Sequence, residues 1–111
     1  MIIIREPVSI QDIQRLHNDF FDTMVKIVVD VEKQLVAVNA EMHADLEQML
    51  LEEGSEQNHL WGANIYFSRP HDLEFTSLIN IRPALGNKSM EVLDPWIRTS
   101  MTGIVKKYIL L

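Results

Sequence analysis

The chain has 111 residues, of which 47% are hydrophobic and 23% are charged, so its composition is that of a folded protein with room for one core. Its 16 acidic residues against 10 basic ones give a net charge of −6, which disfavours nucleic acid and anionic membranes as partners. The absence of cysteine excludes disulfides, thiolate metal sites and a cysteine nucleophile. The isoleucine run before Arg5 is too short for a signal peptide, so we expect one cytoplasmic domain over residues 1–111.

A short edge strand and a helix are predicted at the start of the chain. The strand covers Ile2 to Arg5 and is stopped by Pro7, which cannot donate a ladder hydrogen bond. Ser9 is a typical helix N-cap, with Asp12 three residues later as a weak capping box. An amphipathic helix that ends near Asp22 is indicated by apolar residues at helical spacing, namely Ile10, Ile13, Leu16, Phe20 and Met24.

From Val25 the hydrophobic period changes to two, which predicts a β-hairpin with Lys33 and Gln34 at its turn. In the register that this turn sets, one face is wholly apolar and pairs Val31 with Val36, Val29 with Val38, and Ile27 with Ala40. The other face pairs Asp30 with Ala37, Val28 with Asn39, and Lys26 with Glu41. A slip of one residue would place valines opposite charges, so the pattern favours this register.

A second helix and two more strands follow. The apolar stripe of the helix runs through Met42, Leu46, Met49 and Leu50, and Gly54 suits its left-handed end. Alternating residues then predict one strand from Leu60 to Phe67 and another from Ser77 to Arg82.

The last helix begins at Asp94, an N-cap followed by Pro95 at the first helical position. Its apolar face carries Ile97, Met101, Ile104, Val105 and Tyr108, and Lys106 and Lys107 lie in its final turns. The fold class is therefore α+β: a mainly antiparallel four- or five-stranded sheet with three helices, in the order (β)αββαββα. We expect the helices to cover the valine-rich face of the sheet.

The opposite sheet face would then be polar. It would present Lys26, Asp30, Glu32, Asn39, Asn64, Tyr66, Asn80 and Arg82. This pattern is typical of a solvated face, but Asn64 and Asn80 are poor strand formers at mid-strand positions, which also indicates a binding surface. Asn64, Asn80, Arg82 and Tyr66 are accordingly the candidate ligand-binding residues.

The segment "EMHADLE" holds the other candidates, because His43 and Glu47 share one side of the second helix. A pocket that joined them to sheet residues would have the candidate catalytic residues His43, Glu47, Asp30, Glu32 and Arg82. No cofactor or metal is expected: His43 and Glu47 are weak metal candidates, which would need Asp30, Glu32 or another sheet carboxylate as further ligands, and their spacing matches no recognised metal motif. The simpler interpretation is a polar helix start, favoured electrostatically by Asp45 and Glu47.

Four segments together, "VDVE", "HADLE", "EEGSEQNHLWGAN" and "INIRP", resemble a small prokaryotic family catalogued as domain of unknown function 5674. The resemblance covers nearly the whole chain. It implies a bacterial, cytosolic protein and brings no activity, cofactor or catalytic residue with it.

Two functions of different class follow from these patterns. The first is a non-catalytic binding or self-assembly module that uses the polar sheet face. Trp61 alternates with core residues and should be packed, whereas Trp96 lies off its helix stripe, which favours a contact with a protein partner or a second copy. The second is a small enzyme or a ligand- or metal-binding protein built on the His43, carboxylate and Arg82 pocket.

Overall fold

The computed structural model describes residues 1–111 and confirms the α+β fold. In chain order the elements are β1 (Ile2–Ile4), β2 (Val8–Ser9), α1 (Ile10–Leu16), β3 (Met24–Asp30), β4 (Leu35–Val38), α2 (His43–Glu52), β5 (Leu60–Tyr66), α3 (Pro95–Tyr108) and β6 (Ile109–Leu110). Short 3-10 helices cover Gln57–His59, Leu78–Asn80 and Pro83–Leu85. An antiparallel sheet has the strand order β1-β4-β3-β5, and β2 pairs in parallel with β6.

The predicted caps of two helices are confirmed. Ser9 Oγ accepts a hydrogen bond from the Asp12 N–H at 3.1 Å, and Asp94 Oδ1 accepts one from the Trp96 N–H at 2.8 Å. The predicted end of α1 is wrong, because the helix stops at Leu16 rather than near Asp22. Leu16 is 55% exposed, so the apolar stripe beyond Ile13 has no surface to pack on.

The predicted hairpin register is wrong by two residues. Val29 pairs with Val36 and Ile27 with Val38, because the connection is a four-residue turn over residues 31–34 instead of two residues. Asp30 Oδ1 stabilises this longer turn by accepting hydrogen bonds from the Glu32 and Lys33 N–H groups, both at 2.9 Å. A shift of two leaves every side chain on its predicted face. The Lys26 and Glu41 pair does not form, since β4 ends at Val38.

Helices cover both faces of the sheet, so the expected open polar face is not there. The valine-rich face packs against α1 and α3 in the larger core, which includes Ile13, Trp61 and Met101. The opposite face carries Val28, Ala37 and Leu60, and these pack against Leu46 and Leu50 of α2. Because apolar residues lie among the polar ones on that face, α2 can bury it.

The predicted strand from Ser77 to Arg82 is also wrong, because Leu78–Asn80 is a 3-10 helix. At the edge of β5 a side chain replaces the missing strand: Asn80 Oδ1 accepts from the Gly62 N–H at 2.8 Å, and Asn80 Nδ2 donates to the Gly62 carbonyl at 3.0 Å. Glu74 pairs with Asn64 by backbone hydrogen bonds further along the same edge. None of the helices is long and apolar enough to cross a membrane.

Candidate functional site

Buried asparagines hold the long segment that follows β5. Asn80 Nδ2 donates to the Met90 carbonyl at 3.0 Å as well as to the Gly62 carbonyl. Asn87 Nδ2 lies 2.8 Å from the Asn80 carbonyl oxygen, and Asn87 Oδ1 accepts from the Leu93 N–H at 2.9 Å. Asn80, a candidate ligand-binding residue, therefore has its amide fully engaged by the backbone. The sequence did not single out Asn87, whose only signal is its place beside Gly86 in a loop between strong elements.

Glu47 and Arg82 form an ion pair that joins α2 to the same segment. Arg82 Nη2 lies 2.5 Å from Glu47 Oε2 and also donates to the Leu60 carbonyl at 3.1 Å. The two side chains are 13% and 11% exposed. Arg82 Nε is buried without a partner. With its carboxylate engaged by Arg82 in this way, Glu47 is in a structural role here.

Asp30 and Glu32 lie at the hairpin turn. Asp30 is fully buried, and its Oδ2 accepts a hydrogen bond from Ser55 Oγ at 2.6 Å while its Oδ1 caps the turn. Glu32 points to solvent. The Asp30 carboxylate thus links the hairpin to the loop after α2, and it uses both oxygens to do so.

One open cavity of about 400 Å³ lies where β3 and β5 meet the start of α2 and the Leu78–Asn80 turn. We call it the His43 cleft. The polar or charged residues that line it are Lys26, His43, Asn64, Thr76 and Ser77. Met42, Leu78 and Met90 line it as well and are largely exposed, so the cleft has polar groups inside an apolar rim.

His43 is buried in the cleft wall with one ring nitrogen engaged. Its Nε2 lies 2.8 Å from the Ala63 carbonyl oxygen. Because a carbonyl only accepts hydrogen bonds, Nε2 carries the proton, and Nδ1 of the neutral ring is an acceptor that has no partner in the protein. Burial lowers the pKa of His43 and outweighs the hydrogen bond to the Ala63 carbonyl, which raises it; the Lys26 charge lowers the pKa further, and Asn64 and Glu74 raise it slightly. The ring is therefore neutral at pH 7.

Gly62 allows the ring and the Leu78–Asn80 turn to approach the sheet. A Cβ atom at Gly62 would lie 2.6 Å from the Ser77 Cβ and 3.1 Å from the His43 Cδ2. Real Cβ atoms essentially never come as close as the first of these distances. Glycine at this position is thus what brings Ser77 and His43 against β5.

Asn64 connects the cleft to Glu74 and Tyr66. Its Nδ2 donates to Glu74 Oε1 at 2.8 Å, and Tyr66 Oη donates to the same oxygen at 3.3 Å. This fixes the amide so that Oδ1 faces the other way, and Oδ1 is buried without a hydrogen-bond partner. Desolvation and the neighbouring Glu74 charge raise the pKa of Tyr66, so its hydroxyl remains a donor.

The start of α2 contributes positive electrostatic potential. Met42 is the N-cap and has no side-chain acceptor, so it leaves the first N–H groups of the helix without the usual cap. Lys26 also lines the cleft, and its Nζ lies 5.2 Å from the centroid of the Phe21 ring. Lys26 is the only charged residue that lines the cleft, and the Glu74 carboxylate lies behind the wall, where it is hydrogen-bonded to Asn64.

Comparison with known proteins identifies a family. The family model described as "Protein of unknown function (DUF5674)" matches residues 2–108. The chain belongs to this family. Comparison with curated proteins and with solved structures gave no match.

In this DUF5674 chain, the five candidate catalytic residues lie in three separate places. Asp30 and Glu32 are at the hairpin turn, Glu47 and Arg82 form their own ion pair, and of the five only His43 lines the cleft. No three of the His, Asp and Glu side chains come together in a way that could hold a metal ion. Of the four candidate ligand-binding residues, Asn64 lines the cleft, Tyr66 is connected to it through Glu74, and Asn80 and Arg82 support the surrounding segment.

Sequence reasoning missed most of the cleft wall. Ser77 and Leu78 were placed in a strand, and Met42 was assigned to a buried stripe although it is 55% exposed. An apolar residue at an N-cap, where Ser, Thr, Asp or Asn is usual, is the signal that could have marked the helix start as unusual.

Proposed function

We propose that the protein is a non-catalytic binding module and that the His43 cleft is its binding site. The cleft is the one end of the polar sheet face that α2 leaves accessible, and it holds Lys26 and Asn64 from that face. The observation that carries the proposal is the His43 ring, whose Nδ1 has no protein partner although the residue is nearly buried. A concave site with a few converging polar groups inside an apolar rim is typical of small-molecule binding.

Binding is favoured over catalysis by the way the groups of the cleft are used. A serine nucleophile needs a hydrogen bond to its base, whereas Ser77 Oγ accepts from the Ile79 N–H and makes no hydrogen bond to His43. Glu47, the carboxylate about one helical turn after His43 on α2, is held by Arg82 and does not orient the imidazole. His43 in this arrangement acts as a hydrogen-bond acceptor for a bound molecule.

An NMR experiment tests the proposal. The ¹⁵N-labelled protein is titrated with a mixture of small acids, alcohols and amines, and we expect shift changes of the Lys26, His43, Asn64 and Ser77 amides. Ala44 is exposed and lines the cleft, so Ala44→Phe should fill it and abolish these changes. Ala84→Phe is the matched control, since Ala84 is also exposed but lies outside the cleft. Shift changes that are scattered over the surface, or that survive in Ala44→Phe, would contradict the proposal.

We propose separately that the protein self-associates through the start of α3. Trp96 is 80% exposed, and Leu93 beside it is also exposed. Tryptophan is more frequent in protein interfaces than on the rest of the protein surface. Sedimentation velocity should show a dimer that Trp96→Ala converts to monomer, and a wild-type monomer at millimolar concentration would refute this proposal.

A further inference from the structure

The chemistry of the His43 cleft also indicates what it binds. Resting on the proposed function, we infer that the ligand is a small apolar acid with a hydrogen-bond donor beside its carboxylate, the chemistry shared by apolar 2-hydroxy acids and apolar 2-amino acids. Three features of the cleft match the three parts of such a molecule.

The carboxylate is indicated by the cationic and N–H groups of the cleft. Lys26 is its only charged lining residue, and the Glu74 carboxylate behind the wall is engaged by hydrogen bonds from Asn64 and Tyr66. The first turn of α2, a helix of 10 residues, adds uncapped N–H groups at His43 and Ala44, which also line the cleft. Exposed N–H groups at a helix start bind anions, because they donate hydrogen bonds and lie at the positive end of the dipole.

The donor is indicated by an acceptor that the protein leaves without a partner. His43 donates from Nε2 to the Ala63 carbonyl, and its Nδ1 makes no hydrogen bond within the protein. Asn64 Oδ1 also lacks a hydrogen bond, but it is closed off from solvent, so the acceptor that a ligand meets in the cleft is His43 Nδ1. A simple carboxylate would place an oxygen against this nitrogen, whereas a hydroxyl or ammonium group on the next carbon donates to it.

The apolar part is indicated by the rim. Met42, Leu78 and Met90 are exposed large hydrophobic residues, and all three line the cleft. Unbranched methionine side chains adapt to ligands of different shape. A volume of about 400 Å³ is at the small end of the range for ligand pockets, which suits a molecule of amino-acid size.

Four isosteric probes test the inference by titration followed in ¹⁵N NMR spectra. 2-Hydroxy-4-methylpentanoate and leucine carry all three parts, 4-methylpentanoate lacks the donor, and leucinol lacks the carboxylate. We expect at least one of the first two to bind in the cleft about tenfold more tightly than either truncated probe, one hydrogen bond or charge contact being of that size. Comparing the first two distinguishes a hydroxy acid from an amino acid.

Two lysine variants identify the origin of the acid preference. Lys26→Gln removes the cation of the cleft. The probe that carries all three parts should then bind less than about threefold more tightly than leucinol. Lys107→Gln is the control, because Lys107 also lies 5.2 Å from an aromatic ring, that of Tyr108, but on α3 away from the cleft. It should leave the preference unchanged.

The outcomes separate this inference from the proposed function. The inference fails, and the binding function stands, if leucinol or 4-methylpentanoate binds in the cleft as tightly as the two probes that carry all three parts. The same holds if the only members of the mixture that bind in the cleft are amines or neutral molecules. If no member of the mixture and no probe shifts the cleft amides, both fail.

Discussion

At the scale of single residues, His43 shows how burial fixes the role of a side chain. The imidazole donates from Nε2 to the Ala63 carbonyl and is held neutral by the desolvation that lowers its pKa. Its position four residues before Glu47 made the two residues candidates for a metal or acid–base pair in the sequence. In the structure Glu47 instead forms an ion pair with Arg82, and His43 lines a cleft with a hydrogen-bond acceptor that has no partner.

The lowered pKa of His43 predicts a stability change on acidification. Above pH 6.5, the ordinary value for histidine, the ring is neutral in both the folded and the unfolded protein. As the pH falls below 6.5 the unfolded chain binds the proton first, so the free energy of unfolding decreases until the lower pKa of the folded state is reached. His43→Gln, which keeps a donor near the Ala63 carbonyl, should flatten this dependence below pH 6.5. Urea denaturation at several pH values measures it, and equal slopes for both proteins would be inconsistent with a buried neutral ring.

The Glu47 and Arg82 pair predicts a loss of stability without a loss of ligand binding. Arg82→Ala leaves the nearly buried Glu47 carboxylate without its partner and should lower the free energy of unfolding by about 3 kcal/mol. The control is Arg5→Ala, whose partner Glu53 is half exposed, and it should change the free energy by less than about 1 kcal/mol. If chemical denaturation finds the two variants equally stable, the Arg82 pair does not support the fold.

At the scale of elements, features that depend on residues close together in the sequence were predicted correctly. The caps of α1 and α3, the left-handed Gly54 after α2 and the buried Trp61 are examples. The hairpin register was not readable, because it depends on Asp30 binding the turn N–H groups while Ser55, distant in sequence, binds its other oxygen. The predicted strand after β5 does not form for a similar reason, because the Asn80 side chain makes the hydrogen bond to Gly62 that a neighbouring strand would have made.

Asn80 provides a test of that replacement. Asn80→Ala removes three hydrogen bonds and leaves the Gly62 N–H without its partner, so it should lower the free energy of unfolding by about 2–4 kcal/mol. Hydrogen exchange of the Gly62 amide should become faster than in wild type. Asn58→Ala is the control, because Asn58 is exposed, and its exchange pattern should match wild type. Unchanged exchange at Gly62 in Asn80→Ala would refute the role of Asn80 at the sheet edge.

At the scale of the whole molecule, two hydrophobic cores on opposite sides of one sheet define where a site can lie. The alternation from Val25 onwards predicted the valine-rich core, but not the second core beneath α2, because its small apolar residues Val28 and Ala37 are scattered among polar ones. Coverage by α2 and the segment from Thr76 to Met90 leaves the His43 cleft as the accessible part of the polar face. The cleft was not predictable because its residues come from four elements that meet only in the folded chain.

If the His43 cleft binds a small apolar 2-hydroxy or 2-amino acid, crystals of the protein soaked with 2-hydroxy-4-methylpentanoate or with leucine should contain at least one of them in the cleft. We expect the carboxylate at Lys26 and the first turn of α2, the hydroxyl or ammonium group at His43 Nδ1, and the alkyl group against Leu78. A cleft that stays empty at saturating concentrations of both molecules, or density only at another surface, would refute binding of this class of ligand in the cleft.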